Sequence, residues 1–447
     1  MSLTDRFGAP LSTGSRAAAD GLDTATALML GFYADPLAVI EETLTAEPDF
    51  VMGRCFRAGL FLISSEKAAV PELAREYEAL TRLVDRANER ERGHIAAIKA
   101  WLDGDFHGAS ERYGRVLFEH PRDLVALQFG HQCDFLLGQS TMLRDRVARV
   151  LPSWSETDPD YAYVLGMHAF GLEECGHYER AEETGKRAVA LQPRDTWGIH
   201  AVAHVFEMQG RLEEGISWLT ERADDWAPEN MFAYHNWWHL ALYHLERGET
   251  DRVLSLYDQR IRPERSEVAL EMVDAASLLW RLRLRGVEVG DRWRELAENY
   301  EGTAEDAYYP FNDMHAMMCF VAEGREDSAR RLVTALEARA GDGDSSARLI
   351  RDVGLPVARA IRAFGAGDYE TAVELLLEVR KRANLFGGSH AQRDVLNLTL
   401  LEAALRAGDT AAARGLLNER LAAKPESPFA RLVQSRIASQ TQGDAAA

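Results

Sequence analysis

The sequence predicts an all-α protein, a stack of helical hairpins running through almost the whole chain. Three observations carry that expectation. Glycines recur at near-regular intervals, aromatic and alanine residues follow them at fixed offsets, and prolines close several of the segments so marked. The chain has 447 residues, 46% of them hydrophobic, enough for a large core or a long stack. Length alone would suggest two or three domains, but a repeat stack grows in one dimension and escapes that expectation.

The most regular stretch is Gly367-Asp368-Tyr369, followed by Ala372, Leu376 and Val379. Gly176-His177-Tyr178 with Ala181, Ala188 and Pro193 repeats it, as does Gly104-Asp105-Phe106 with Ala109, Tyr113 and Pro121. Glycine admits the positive φ that a turn between two helices often needs. The aromatic packs beneath that turn, the small alanine lets two helices approach closely, and the proline ends the second helix. The pattern resembles a tetratricopeptide unit, which implies a right-handed superhelical solenoid, here of about ten hairpins.

Turn glycines then fall at Gly31, Gly104, Gly138, Gly176, Gly210, Gly248, Gly286, Gly324, Gly367 and Gly408. From Gly104 onward the gaps are 34, 38, 34, 38, 38, 38, 43 and 41 residues. An ideal unit has about 34, so several hairpins carry a few extra residues. The gap of 73 after Gly31 fits one further unit without a turn glycine, near Ser64-Ser65. Residues 1–20 read as an N-terminal arm, 21–438 as a single solenoid domain and 439–447 as a disordered tail. The stretches 341–346 and 385–389 read as long inter-repeat loops.

A formal net charge of −20 argues against nucleic acid and anionic membranes as partners, since both reward clustered Lys and Arg. No apolar run reaches the roughly 20 residues of a membrane span, and no secretory signal opens the chain. Cys55, Cys133, Cys175 and Cys319 form no Cys-x-x-Cys pair and read as free thiols of a cytoplasmic protein.

With each turn glycine set to repeat position 15, positions 2, 5, 6, 9, 12 and 13 form one stripe of the first helix. The tetratricopeptide resemblance implies that this stripe lines the concave groove. It collects Trp197, His200, His204, Glu207 and Met208 from one hairpin and His235, Trp238 and His239 from the next. Ser277 and Trp280 follow from a third, and His315, with Asp313 beside it, from a fourth. Five histidines thus share one groove. His94, His107, His120 and His177 sit near turns or helix ends and need no explanation beyond solvation; His131, His168 and His244 fall at packing positions, the first two as satisfied core residues.

His200/His204 and His235/His239 are both His-x-x-x-His pairs, each on one helix face. Such pairs can chelate a divalent metal such as zinc, although Ala201 and Asn236 follow where zinc signatures often place a glutamate. Metal-free acid–base chemistry is a second reading, with Glu207, Asp274 or Asp313 fixing a histidine tautomer. A polar lining with no chemistry is a third.

The run Asp195-Thr196-Trp197-Gly198-Ile199-His200-Ala201-Val202-Ala203-His204-Val205-Phe206-Glu207-Met208, with His235-Asn236-Trp237-Trp238-His239, resembles the tetratricopeptide repeat protein 38 family. So do Asp274-Ala275-Ala276-Ser277-Leu278-Leu279-Trp280-Arg281 and Gly387-Gly388-Ser389-His390-Ala391-Gln392-Arg393-Asp394, although the family often carries Asn where this chain has His390. The resemblance implies the fold and supplies no reaction. It adds the helix start Gln392-Arg393-Asp394, which a curling superhelix could carry toward the histidines. Arg393 would then grip an anionic ligand, or else pair with Asp394.

The candidate catalytic set is therefore His204, His239, Glu207 and His315. Trp197, His200, His235, Trp238, Asp274, Ser277, Asp313, Arg393 and Asp394 are the candidate ligand-binding set. A small-molecule pocket is favoured because Trp and His concentrate at one point; the alternative is a non-catalytic scaffold for a protein or peptide.

Overall fold

The structure, a computed structural model, describes residues 3–446. Helix follows helix along the chain, and the β-pairings among the described residues are isolated bridges, Thr4–Pro10 and Tyr33–Asn230. The chain is an all-α, tetratricopeptide-like repeat protein.

The glycine ladder works as the sequence suggests. Nine of the ten turn glycines, from Gly104 to Gly408, have φ between 60° and 80°. At each turn an amide reaches back five residues, as from Asp105 to the Ala100 carbonyl and from Asp368 to that of Ala363. This is the six-to-one bond of a Schellman cap, which needs a left-handed residue before it. The aspartate after the glycine then opens the next helix: Asp105, Asp368 and Asp409 accept from the amides of Gly108, Thr371 and Ala412. Gly-Asp is thus a stop and a start in two residues.

Gly31 departs from the ladder. It ends the helix Arg16–Gly31 in helical geometry, and Phe32 takes the left-handed position at φ 59°. Phe32 is held there by its stack on Trp197 and its contact with Phe232, at centroid distances of 5.5 and 4.9 Å. Ser65, in the unit lacking a turn glycine, has φ 59°.

By its contacts the chain divides into two compact units. The first runs through Val202 and includes Arg222–Ala233 and Asp344–Ser346; the second holds Ala203–Glu221, Tyr234–Gly343 and the chain from Ala347 onward. In the first, hairpins pack in chain order from Arg16–Gly31 to Tyr178–Leu191. The expected N-terminal arm is part of this core: Phe7, Ala9 and Leu11 are buried, and Asp5 pairs at 2.9 Å with buried Arg90. His94 is likewise no solvated histidine, lying mid-helix, fully buried and 2.8 Å from Asp123. His131 is buried with neither ring nitrogen hydrogen-bonded, so it is not a satisfied core residue.

In the second unit the extra residues of the long repeats become π turns at Tyr257–Ile261 and Ile350–Gly354 and a 3-10 segment at Arg380–Phe386. Helix Ala269–Leu284 packs on helix His390–Arg406, a contact between elements more than a hundred residues apart. Helix Pro428–Ala446 runs through most of the tail expected to be disordered; Ala447 lies outside the described residues.

Candidate functional site

Four helices of the second unit bring the chemistry together: the last turns of Thr196–Met208, then Ala233–Glu246, Ala269–Leu284 and the start of His390–Arg406. The last is set by a capping box. Ser389 accepts from the Gln392 amide while the Gln392 side chain accepts from the Ser389 amide. Gly388, at φ 75°, lies where a Cβ would meet the Phe311 ring at 2.6 Å, so glycine is needed twice over.

A chain of hydrogen bonds crosses these helices. The Gln392 amide donates to Asp274 Oδ1 at 3.4 Å, and Asp274 Oδ2 lies 2.5 Å from His235 Nδ1. His235 Nε2 faces His239 Nε2 at 3.2 Å, and His239 Nδ1 is 2.9 Å from Glu207 Oε2. A carboxylate only accepts, so each imidazole donates its Nδ1 hydrogen outward and turns Nε2 inward. Trp238 stacks on His235 at 5.3 Å and donates to Ser277 Oγ at 3.0 Å, which fixes the ring plane. His204 closes the group: its ring is 4.4 Å from that of His239, and one nitrogen from each of His204, His235 and His239 lies within 4.8 Å of the others.

The expected groove is filled rather than open. His204, Trp238 and His239 have no exposed surface, and Asp274 and Ser277 have 1% each. Burial holds His204 and His239 well below the usual imidazole range, and neighbouring histidines push the same way. Both are neutral near pH 7.

Trp197 and His200 belong to the first unit, in an aromatic cluster. Trp197 lies 4.8 Å from both His200 and Phe170 and 5.3 Å from Phe232. Asp195 starts their helix, accepting from Gly198 at 3.1 Å, and burial raises its carboxyl to about 7. His200 precedes His204 by one turn of the same helix.

His315 is buried and donates Nδ1–H to the Phe311 carbonyl at 2.8 Å; it does not join the converging histidines. Burial lowers it to about 3. Asp313, one turn from Tyr309, is also buried. Arg393 donates to the Gly388 carbonyl and approaches His390 at 3.5 Å. Asp394 is held by Arg420 at 2.9 Å; burial opposes its ionisation, but Arg420 and Lys424 bring it down to about 2.

Beside the histidines lies a pocket open to solvent on one side, and Glu207 is part of its wall. Its cations are Arg281, Arg285, Arg420 and Lys424. Asp394 and Glu246 are engaged by Arg420 and Arg285, and Glu426 by Arg431. Arg281, 3% exposed, instead donates to the carbonyls of Ser277, Ala391 and Gln392, and burial lowers it to about 10. Reading the glycine ladder misses this residue, because Arg281 falls at a packing position. The signal was there: a single Arg inside Leu278-Leu279-Trp280-Arg281-Leu282.

No family model matches the sequence. Among solved structures the chain is similar to Cut9 in the APC/C hetero-tetramer Cut9-Hcn1, at 13% identity and TM-score 0.34, covering 95% of this chain and 90% of that one. Yeast Tom70 aligns at 12% identity and TM-score 0.33, covering 96% and 90%. Naa15/Naa10 bound to HypK-THB aligns at 13% and 0.26, covering 96% and 66%. At such scores these likenesses carry no inference about what the chain binds.

Proposed function

We propose that the protein binds a small anionic molecule in the pocket walled by Glu207, Arg281 and Lys424, with the neighbouring histidines available for acid–base or metal-assisted chemistry. One observation carries the reading: Glu207 belongs at once to the pocket wall and to the hydrogen-bond chain through His239 and His235. An anion is favoured because the pocket carboxylates are engaged by other groups, whereas Arg281 and Lys424 make no close ion pair among the described residues and feel Asp394 only at longer range. Desolvated guanidinium is a strong site for a carboxylate or phosphate. The resemblance to the tetratricopeptide repeat protein 38 family, and a cytoplasmic location, fit this reading without adding a reaction.

The test is a thermal-shift screen with inorganic phosphate and a panel of mono- and dicarboxylates. At least one anion should raise the melting temperature of the wild type, and Lys424→Gln should remove the rise. If no anion shifts melting while a peptide is captured, the scaffold alternative replaces this reading.

A further inference from the structure

We infer that His204, His235 and His239 form a binding site for a single divalent transition-metal ion of the zinc class. The two Nδ1 atoms set the orientation of the rings. Asp274 and Glu207 each accept a hydrogen from one ring, which leaves the Nε2 lone pairs of His235 and His239 facing each other at 3.2 Å. Two lone pairs at that distance repel unless a proton or a cation lies between them. A tetrahedral ion with Zn–N bonds of about 2.0–2.1 Å sets its donor atoms about 3.3 Å apart, which is the separation this pair already has. His204 brings a third imidazole nitrogen within 4.8 Å of both.

The surroundings have the pattern expected around a metal. Imidazole ligands are commonly fixed by a carboxylate on the far ring nitrogen, which sets tautomer and orientation and raises donor strength. Here two of three have one, and the Asp274 carboxylate is itself held by Gln392 at 3.4 Å. The charge also fits. Among the charges around it are the carboxylates of Asp274 and Glu207, hydrogen-bonded to His235 and His239, and the guanidinium of Arg281, 5.2 Å from the Trp238 ring. The two carboxylates outweigh the one guanidinium, so a dication is accommodated. An all-imidazole set selects zinc and its neighbours over magnesium and calcium, which take oxygen. An ion so held would supply Lewis acidity to a bound water or a carbonyl oxygen.

The inference concerns the same site as the proposed function but does not need an anion in the pocket. The untagged full chain is stripped with a chelator, shown to be folded by circular dichroism, and titrated calorimetrically with Zn²⁺. One ion per chain is expected. Binding should vanish in His204→Asn and His239→Asn and weaken about 10- to 100-fold in Glu207→Gln and Asp274→Asn. Lys424→Gln should bind Zn²⁺ as the wild type does, which separates this outcome from the anion test. A folded, stripped chain that takes up no stoichiometric Zn²⁺ overturns the inference, as does undiminished binding in folded His239→Asn. Should the histidine variants fail to fold, Co²⁺ added to the wild type decides. A tetrahedral, nitrogen-ligated absorption spectrum supports the site; the spectrum of the hydrated ion overturns it.

Discussion

Asp195→Asn should stabilise the protein at neutral and alkaline pH, by an amount that grows with pH. Asp195 has no exposed surface, and burial lifts its carboxyl from 3.8 to about 7, against the pull of the Gly198 and Trp197 amides. Between those values the folded chain keeps a proton that the unfolded chain has released, so stability falls as pH rises through the interval. At about 1.4 kcal/mol per tenfold, the full interval is worth about 4 kcal/mol above pH 7. Asparagine keeps the acceptor for the Gly198 amide and cannot ionise. It also fits, because the carboxyl lies against two glycines: a Cβ on Gly166 or Gly198 would come within 2.4 or 2.5 Å of Oδ2. Melting of both proteins is followed by fluorimetry from about pH 5 to pH 8. The variant's advantage should widen steadily and level off above 7, reaching several degrees at about 2–4 °C per kcal/mol. A constant difference, or a variant that loses stability as pH rises, would refute the assignment of a buried, neutral Asp195.

His131→Phe removes two unpaired ring nitrogens from between Phe170 and Trp197, and should gain about 1–3 kcal/mol in urea unfolding. Burial lowers His131 to about 3, so its neutral form costs stability as pH falls below about 6.5, and the gain should widen in acid. Gly171→Ala sets a Cβ 2.5 Å from the backbone of Leu143 and Arg144, which cannot move aside as a side chain would, and should cost about 1–3 kcal/mol. Trp238→Phe loses the bond to Ser277 and should cost about 1 kcal/mol, with a loss of Zn²⁺ affinity in the same titration because His235 is less firmly oriented.

What the sequence reveals here is what local geometry dictates. A turn between two helices needs a left-handed residue, glycine supplies it cheaply, and so nine turns could be numbered from sequence. Numbered turns then put His204, Glu207, His235 and His239 on one stripe, and the structure brings these four together. Gly31 misled because Phe32, supported by an aromatic cluster, bears the strain instead. Burial was less legible, because it depends on what another part of the chain lays over a helix face. Nothing local in Asp274 tells that Gln392 will reach it, since that contact follows from helix His390–Arg406 packing on Ala269–Leu284. The same holds for His94, which reads from sequence as a residue near a turn but lies mid-helix against a buried partner, Asp123.

The claim that the pocket beside Glu207 holds a small anion is tested most directly on protein purified without a tag. The folded chain is denatured, and the small molecules it releases are identified by mass spectrometry. One enriched anion is expected, carried by the wild type and depleted in Lys424→Gln. Release of no enriched anion, or equal release from both proteins, would contradict it.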